Sequence, residues 1–341
     1  MKKWFTLLGM ASALSLAPAA QGYEVDEVGS FHIGGRQVTL SGLPVKEVQF
    51  VAGGLVTKVD PNGEVEAEQM YVQFVKLANP KARYPMLMWH GGGLTGVTWE
   101  TKPDGKPGWQ QFFLTAGHSV YVSDAVERGR SSFARYPEIF KSEPLFRTKK
   151  EAWELFRLGA EGFYTSSTQK TAYPDTQFPL DAFDQFGKQG VARWVGTDPL
   201  IVAAYGHLLQ KVCPCVLMAH SQGGPFSIQA TLNAPDKIKA LIVVEPSASS
   251  DYAKMDFGRI KDLPVLIVYG DHWKDSERWV KTRATVDELA ASMKAKGAKV
   301  DWLDLPAMGI KGNSHMLMMD RNSDQIAGLI QNWLAKNGLM K

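Results

Sequence analysis

Cysteine is nearly absent from this 341-residue chain, which holds two, at Cys213 and Cys215. With no Cys/His pair at finger-like spacing, a structural zinc site is not expected. Charge of one sign is lacking too. The net charge is +3, part of it from Lys2 and Lys3, so no basic nucleic-acid surface is expected. No apolar run reaches the ~20 residues needed to span a bilayer, so no stable membrane anchor is expected. No internal repeat, low-complexity tract or heptad pattern appears. Gly91-Gly92-Gly93 lacks the Lys-Ser/Thr ending of a phosphate-binding loop, and no dinucleotide fingerprint occurs elsewhere.

What is present is an ordinary globular balance, 45% hydrophobic and 21% charged, with enough length for a large core. Aromatic residues are plentiful, which suits a deep apolar pocket. The first residues read as an export signal: Lys2 and Lys3, an apolar run over 4–16, then the small-x-small site Ala17-Pro18-Ala19. Residues 1–19 are therefore expected to be a signal peptide, cut after Ala19, leaving a domain over 20–341. No Cys follows the run, which argues against a lipoprotein. In a Gram-negative host the mature chain would be periplasmic or secreted. For such a chain Cys213-Pro214-Cys215 invites a disulfide, though one that is tight across a single residue. Two small apolar residues at the start of a buried strand would explain the pair equally well, and the sequence leaves both open.

Residues 31–76 alternate apolar and polar, with strands expected at 31–33, 45–51 and 71–75. From residue 84 the pattern changes to continuous apolar runs, at 85–89, 119–122, 216–219, 240–244, 264–268 and 300–303. Helices are expected near 109–116, 197–211, 223–234, 276–296 and 320–336. Apolar runs separated by helices predict a buried, mostly parallel sheet with helices on both faces, an α/β architecture fed by a β-hairpin. Residues 131–195 break the alternation with many aromatics and few strand signals. They read as a cap inserted over the carboxyl edge of the sheet, or as a long crossover with its own small core.

The chemistry centres on Ala219-His220-Ser221-Gln222-Gly223. A strand runs into the turn and Gly223-Gly224 opens a helix, which exposes the Ser221 hydroxyl as a nucleophile and aims the Gln222 N–H at a reacting oxygen. Ala219 replaces the usual first glycine. His90-Gly91-Gly92-Gly93, directly after an early strand, is the expected second half of an oxyanion hole, with Gly92 the leading donor and Gly91 next. Of seven histidines, His315 follows the last strand and precedes the final helix, where the order Ser…acid…His puts the base; His272 stands second. Two carboxylates close consecutive strands. Glu245 follows five apolar residues and precedes Pro246, whereas Asp271 sits in a Gly-Asp turn with Asp275 one turn on. Residue chemistry leans slightly to Glu245, with Asp271 the alternative acid. Arg128 or Arg130 could meet a substrate anion, but a structural loop paired to nearby carboxylates accounts for them better.

His90 to Glu100, Glu127 to Ser131, Ala219 to Gly223, Val244-Glu245-Pro246, Gly270-Asp271-His272 and Gly312 to Met316 together resemble a small family of bacterial exported carboxylesterases in the α/β-hydrolase superfamily. The resemblance runs from about residue 30 to the C-terminus, with its motifs far apart and in chain order. It implies an α/β-hydrolase fold with an inserted cap, and a triad of Ser221, His315 and Glu245. Members of that family can carry a Cys pair where this chain has Gly92-Gly93, which implies a more flexible oxyanion loop and a different pocket shape here. The expected activity is hydrolysis of a small-molecule carboxylic ester through an acyl-enzyme, without cofactor or metal. An amidase, lactonase or thioesterase would use the same triad. A silent hydrolase-like binding protein or an envelope protein would have no need of all three residues. The oligomeric state, a homodimer included, is left open.

Overall fold

The computed structural model describes residues 22–131 and 133–341, so the expected signal peptide lies outside the described residues. Two long strands open the fold, β1 (Val25–Leu40) and, after a small hairpin of β2 (Lys46–Val48) and β3 (Thr57–Val59), β4 (Gly63–Leu77). Then come β5 (Met86–Trp89), α1 (Val97–Glu100), α2 (Trp109–Thr115) and β6 (Val120–Asp124). The stretch between β6 and α5 holds α3 (Lys149–Leu155), the hairpin β7 (Tyr164–Ser166) and β8 (Gln169–Lys170), and α4 (Phe183–Gly187). The rest alternates: α5 (Asp198–Val212), β9 (Cys215–His220), α6 (Gly223–Asn233), β10 (Ile238–Val244), β11 (Pro264–Tyr269), α7 (Glu277–Ala295), β12 (Lys299–Asp304) and α8 (Ser323–Lys336).

Eight strands form one sheet in the order β1-β4-β6-β5-β9-β10-β11-β12. The last six in that order run parallel, and β4 joins them antiparallel. One row of paired residues crosses all six: Ser123, Trp89, Ala219, Val243, Ile267 and Trp302. Their carboxyl ends therefore share one edge. After β5 the chain moves out to β6 on one side, then returns to β9 on the other. The crevice between β5 and β9 is the topological switch point where ligands bind in such sheets.

Alternation within each strand explains why the runs are continuously apolar. Leu87, Leu217, Leu241 and Val265 face a core shared with α5, α6 and α7. Met88, Met218, Ile242 and Leu266 face the opposite core, closed by α2, α8 and the aromatics of the 131–195 stretch. Each such side chain stabilises the fold by roughly 1.5–3 kcal/mol on burial. Trp153, Phe156, Phe178, Phe183 and Phe186 belong to that second core. Among the described residues, only Ala134, Phe140 and Trp194, with partly buried neighbours, form a separate cluster.

The antiparallel strand expected over 45–51 appears as the shorter β2, which pairs with β3, while β1 pairs directly with β4. The excursion is pinned at its base by Asn62, whose side chain bonds both the N–H and the carbonyl of Leu43. Cys213 and Cys215 are bridged, their Cα atoms 4.5 Å apart, at the entrance to β9. No helix among the described residues is long and apolar enough to cross a membrane.

Candidate active site

The turn after β9 is tight because its neighbours leave no room. Ser221 adopts a left-handed backbone, with φ of +51°. Such a conformation in a non-glycine residue costs on the order of 1–3 kcal/mol and needs surrounding support. Here the Ser221 N–H donates to Val244 O at 3.0 Å, and Ser221 O accepts from Gly224 N at 2.9 Å and Ser247 N at 3.1 Å. A Cβ on Gly223 would fall 2.8 Å from His90 O, so α6 must begin with glycine to lie against the exit of β5.

The loop after β5 is pressed onto this turn. A Cβ on Gly91 would stand 2.8 Å from His220 Nδ1 and 2.9 Å from Ser221 Cβ; one on Gly92 would stand 2.6 Å from Gln222 Oε1. Among the described residues, the N–H groups of Gly91, Gly92 and Gln222 have no hydrogen-bond partner. His90 fixes the loop: its Nε2 accepts from Ala125 N at 3.0 Å, which leaves Nδ1–H to donate to Gly91 O at 2.8 Å. Burial pushes His90 down to about 4, so the ring is neutral in this role.

Glu245 follows β10 and, like Ser221, has φ of +51°. Its carboxylate is fully buried and held from two sides. Oε2 lies 3.0 Å from His315 Nδ1, and Oε1 accepts from Arg157 Nη2 at 2.6 Å. Burial alone would raise this carboxyl, but Arg157 and His315 outweigh it and hold it at about 2. An ionised Glu245 assigns the His315 proton to Nδ1 and leaves Nε2 with its lone pair free.

His315 sits in a rigid loop. Its N–H donates to Phe156 O at 2.9 Å, and its ring lies nearly parallel to that of Phe156, at 13°. Asp320 anchors the loop by accepting from Asn313 Nδ2 and from the N–H and Oγ of Ser314, at 2.7–2.9 Å. Burial pushes the imidazole down to about 4, against the upward pull of Glu245. His220, itself fully buried, donates from Nε2 to His315 O at 2.9 Å.

Ser221 and His315 line one cavity of about 280 Å³ at the switch point, with Gly92 and Gln222 on its wall. Ser221 Oγ lies 3.5 Å from Ser247 Oγ and makes no direct hydrogen bond to His315. Turning the hydroxyl is a single side-chain rotation, and catalytic hydrogen bonds are often long without substrate.

A bacterial esterase of known structure shares 34% of its sequence with this chain; the match covers 93% of this chain and 98% of that one, at a TM-score of 0.79. The chain belongs to that esterase's family. The α/β-hydrolase fold expected from the sequence is therefore the fold observed. A probable secreted lipase from a fungal species is 26% identical to this family member over 323 residues, 80% of this chain and 88% of that protein. No family model matches the chain.

Two sequence candidates lie elsewhere in this α/β-hydrolase. The Asp271 carboxylate accepts from the N–H groups of His272 at 2.8 Å and Gly312 at 3.0 Å, and makes no bond to His315. His272 stacks on Tyr173 between Asp175 and Asp275, outside the cavity of Ser221. Asp175, Asp271 and His272 bring ligand-type atoms within 4.8 Å of one another, but all are already engaged with protein groups. Arg130 is paired with Asp124 and Glu100, and neither it nor Arg128 lines the cavity. Sequence reasoning missed Arg157, Ser247 and Asp320. For Arg157 no local signal exists, because its partner lies 88 residues away.

Proposed function

We propose that the protein is an exported serine carboxylesterase acting on small-molecule esters, with Ser221 as nucleophile, His315 as base and Glu245 as acid. The observation that carries the reading is the 3.0 Å contact between Glu245 Oε2 and His315 Nδ1, on a ring that shares one cavity with Ser221. Family membership supports it, as does the name of the fungal relative.

In this reading Ser221 Oγ turns from Ser247 toward His315 and attacks the ester carbonyl while Nε2 takes its proton. The oxyanion is met by the N–H groups of Gln222 and Gly92, with Gly91 the neighbouring alternative, each worth about 3 kcal/mol in the transition state. His315 then protonates the departing alcohol. Water attacks the acyl-enzyme by the reverse path, with His315 again as base. Glu245 stays ionised throughout and stabilises the imidazolium. Residues 131–195 are read as the cap, since Arg147, Leu155 and Arg193 from that stretch line the cavity. Export is supported by the signal-like N-terminus and by a bridged Cys213–Cys215, which suits an oxidising compartment.

The test is hydrolysis of a chain-length series of p-nitrophenyl esters, with Ser221→Ala as control. Activity that disappears in the variant supports the reading. A folded wild type inactive on every ester would transfer the triad to an amide, thioester or lactone, or leave a silent binding protein.

A further inference from the structure

Three arginines reach the cavity of Ser221 from separate places: Arg147 and Arg193 from the 131–195 stretch, and Arg278 from the first turn of α7. Among the described residues the single carboxylate on the wall is Asp198, and it forms no ion pair with any of them. Several other arginines in this fold are engaged by acidic partners. Arg157 holds Glu245 and the Asp271 carbonyl, Arg130 holds Asp124 and Glu100, and Arg283 bridges Asp287 and Asp304. Two of the cavity arginines are not. Arg193 and Arg278 form no ion pair among the described residues, and the buried Arg193 Nε has no hydrogen-bond partner. Arg147 has one neighbour of opposite sign, Glu151 at 3.2 Å, and lies over the Phe156 ring.

Their placement points at the reacting centre. Arg193 Nη1 is 3.1 Å from the position a Cβ on Gly92 would take, so the guanidinium borders the oxyanion loop. Burial lowers the Arg147 pKa, and Arg193 and Arg278 lower it further against the pull of Glu151. The three charges thus repel one another across a space holding too little negative charge. A cleft of one sign concentrates ligands of the other, and guanidinium groups match planar oxyanions with paired hydrogen bonds.

We propose that this site selects esters that carry an anionic group, a carboxylate or a phosphate, close to the scissile bond. The inference rests on the esterase reading and narrows it. A neutral alkyl ester would leave the arginines crowded and unmatched; an anionic one fills the gap.

The probe is a pair of substrates of equal shape: the p-nitrophenyl monoester of glutarate, a monoanion at neutral pH, and p-nitrophenyl 5-methylhexanoate, its neutral counterpart. On the alcohol side the pair is acetoxyacetate and isobutyl acetate, followed by acid release. At low ionic strength one anionic member is expected to exceed its neutral partner in kcat/KM by about tenfold or more, mostly through KM, with the advantage shrinking as sodium chloride is added. Arg193→Gln should bring the ratio toward one, and Arg193→Lys should restore part of it. Arg278→Gln, exposed on α7, should lower the ratio without burdening the core. Competition by inorganic phosphate and by acetate at matched ionic strength separates the sources: stronger phosphate inhibition assigns a phosphate-bearing ester, stronger acetate inhibition a carboxylate. Neutral members preferred in both pairs would overturn the proposal and leave the esterase standing. No hydrolysis of any of the four by folded protein would instead remove the esterase reading on which it rests.

Discussion

Arg157 Nη2 and Glu245 Oε1 stand 2.6 Å apart, both side chains almost wholly buried. The pair joins the stretch between β6 and α5 to the residue that closes β10, and the other oxygen of the same carboxylate meets His315. Arg157 also donates from Nε to Asp271 O at 2.7 Å and packs its guanidinium 4.5 Å from the centre of the Trp279 ring. Among the described groups it is the charge that offsets the burial of Glu245 most strongly. It touches no reacting atom, so its role is to position and to hold charge.

Removing one member of a buried pair strands the other. Arg157→Gln is therefore expected to lose about 3–5 kcal/mol of stability in chemical denaturation. It should also move the acidic limb of kcat/KM upward, because Arg157 lowers both Glu245 and His315. Arg157→Lys should recover part of both. An unchanged pH profile with lowered stability would reduce Arg157 to a packing role.

The choice of acid has its own test. Glu245→Gln should cut kcat on a p-nitrophenyl ester by a factor on the order of 10⁴, the usual consequence of losing the charge that orients a catalytic histidine. Asp271→Asn should cost far less, since that carboxylate holds two backbone amides. The reverse ranking would discard the assignment.

The two glycines of the proposed oxyanion loop should differ. Alanine at Gly91 would meet His220 Nδ1 and Ser221 Cβ, both fixed, whereas alanine at Gly92 would meet the end of the Gln222 side chain, which can swing away. Gly91→Ala is expected to lower kcat by about 100-fold or more, comparable to losing an oxyanion donor. Gly92→Ala should cost less. Equal losses in steady-state kinetics would mean the loop moves as one body.

Stability should fall on mild acidification. Burial holds His90, His118 and His315 at about 4 and pushes His220 well down, each below its ordinary 6.5. These rings are neutral in the fold and take protons on unfolding, so their contribution is present above 6.5 and is lost as pH falls toward 4. Asp320, raised to about 6, and Glu127, raised to about 8, act in the opposite sense, because the fold keeps their protons. Four groups against two leave a net loss. The urea midpoint at pH 5 should lie below that at pH 7, and His118→Gln, remote from the cavity, should narrow the gap. A flat comparison would contradict this account.

The parallel strands were legible in the sequence because a strand buried on both faces has no polar positions, and the runs at 216–219, 240–244 and 264–268 appear as β9, β10 and β11. Ser221 and Glu245 were legible because each interrupts the pattern at the end of such a run. The strand over 45–51 is present as the shorter β2, but its partner β3 was not legible, because alternation reports one covered face without saying which partner covers it. Arg157 and the cavity arginines were invisible for a different reason. Their meaning lies in what they meet, and Arg147, Arg193 and Arg278 converge only through the fold. The Cys213–Cys215 bridge was undecided because both readings demand the same buried position.

The stretch that contributes Arg147, Leu155 and Arg193 to the cavity also supplies the counter-ion of Glu245. In many enzymes a lid can be exchanged to retune selectivity while the machinery beneath stays intact. Here a chimera that replaced 131–195 would remove Arg157 along with Arg147 and Arg193, leaving Glu245 uncompensated below a new roof. A graft that keeps Arg157 of the original stretch is therefore expected to preserve the charge balance around Glu245 and His315.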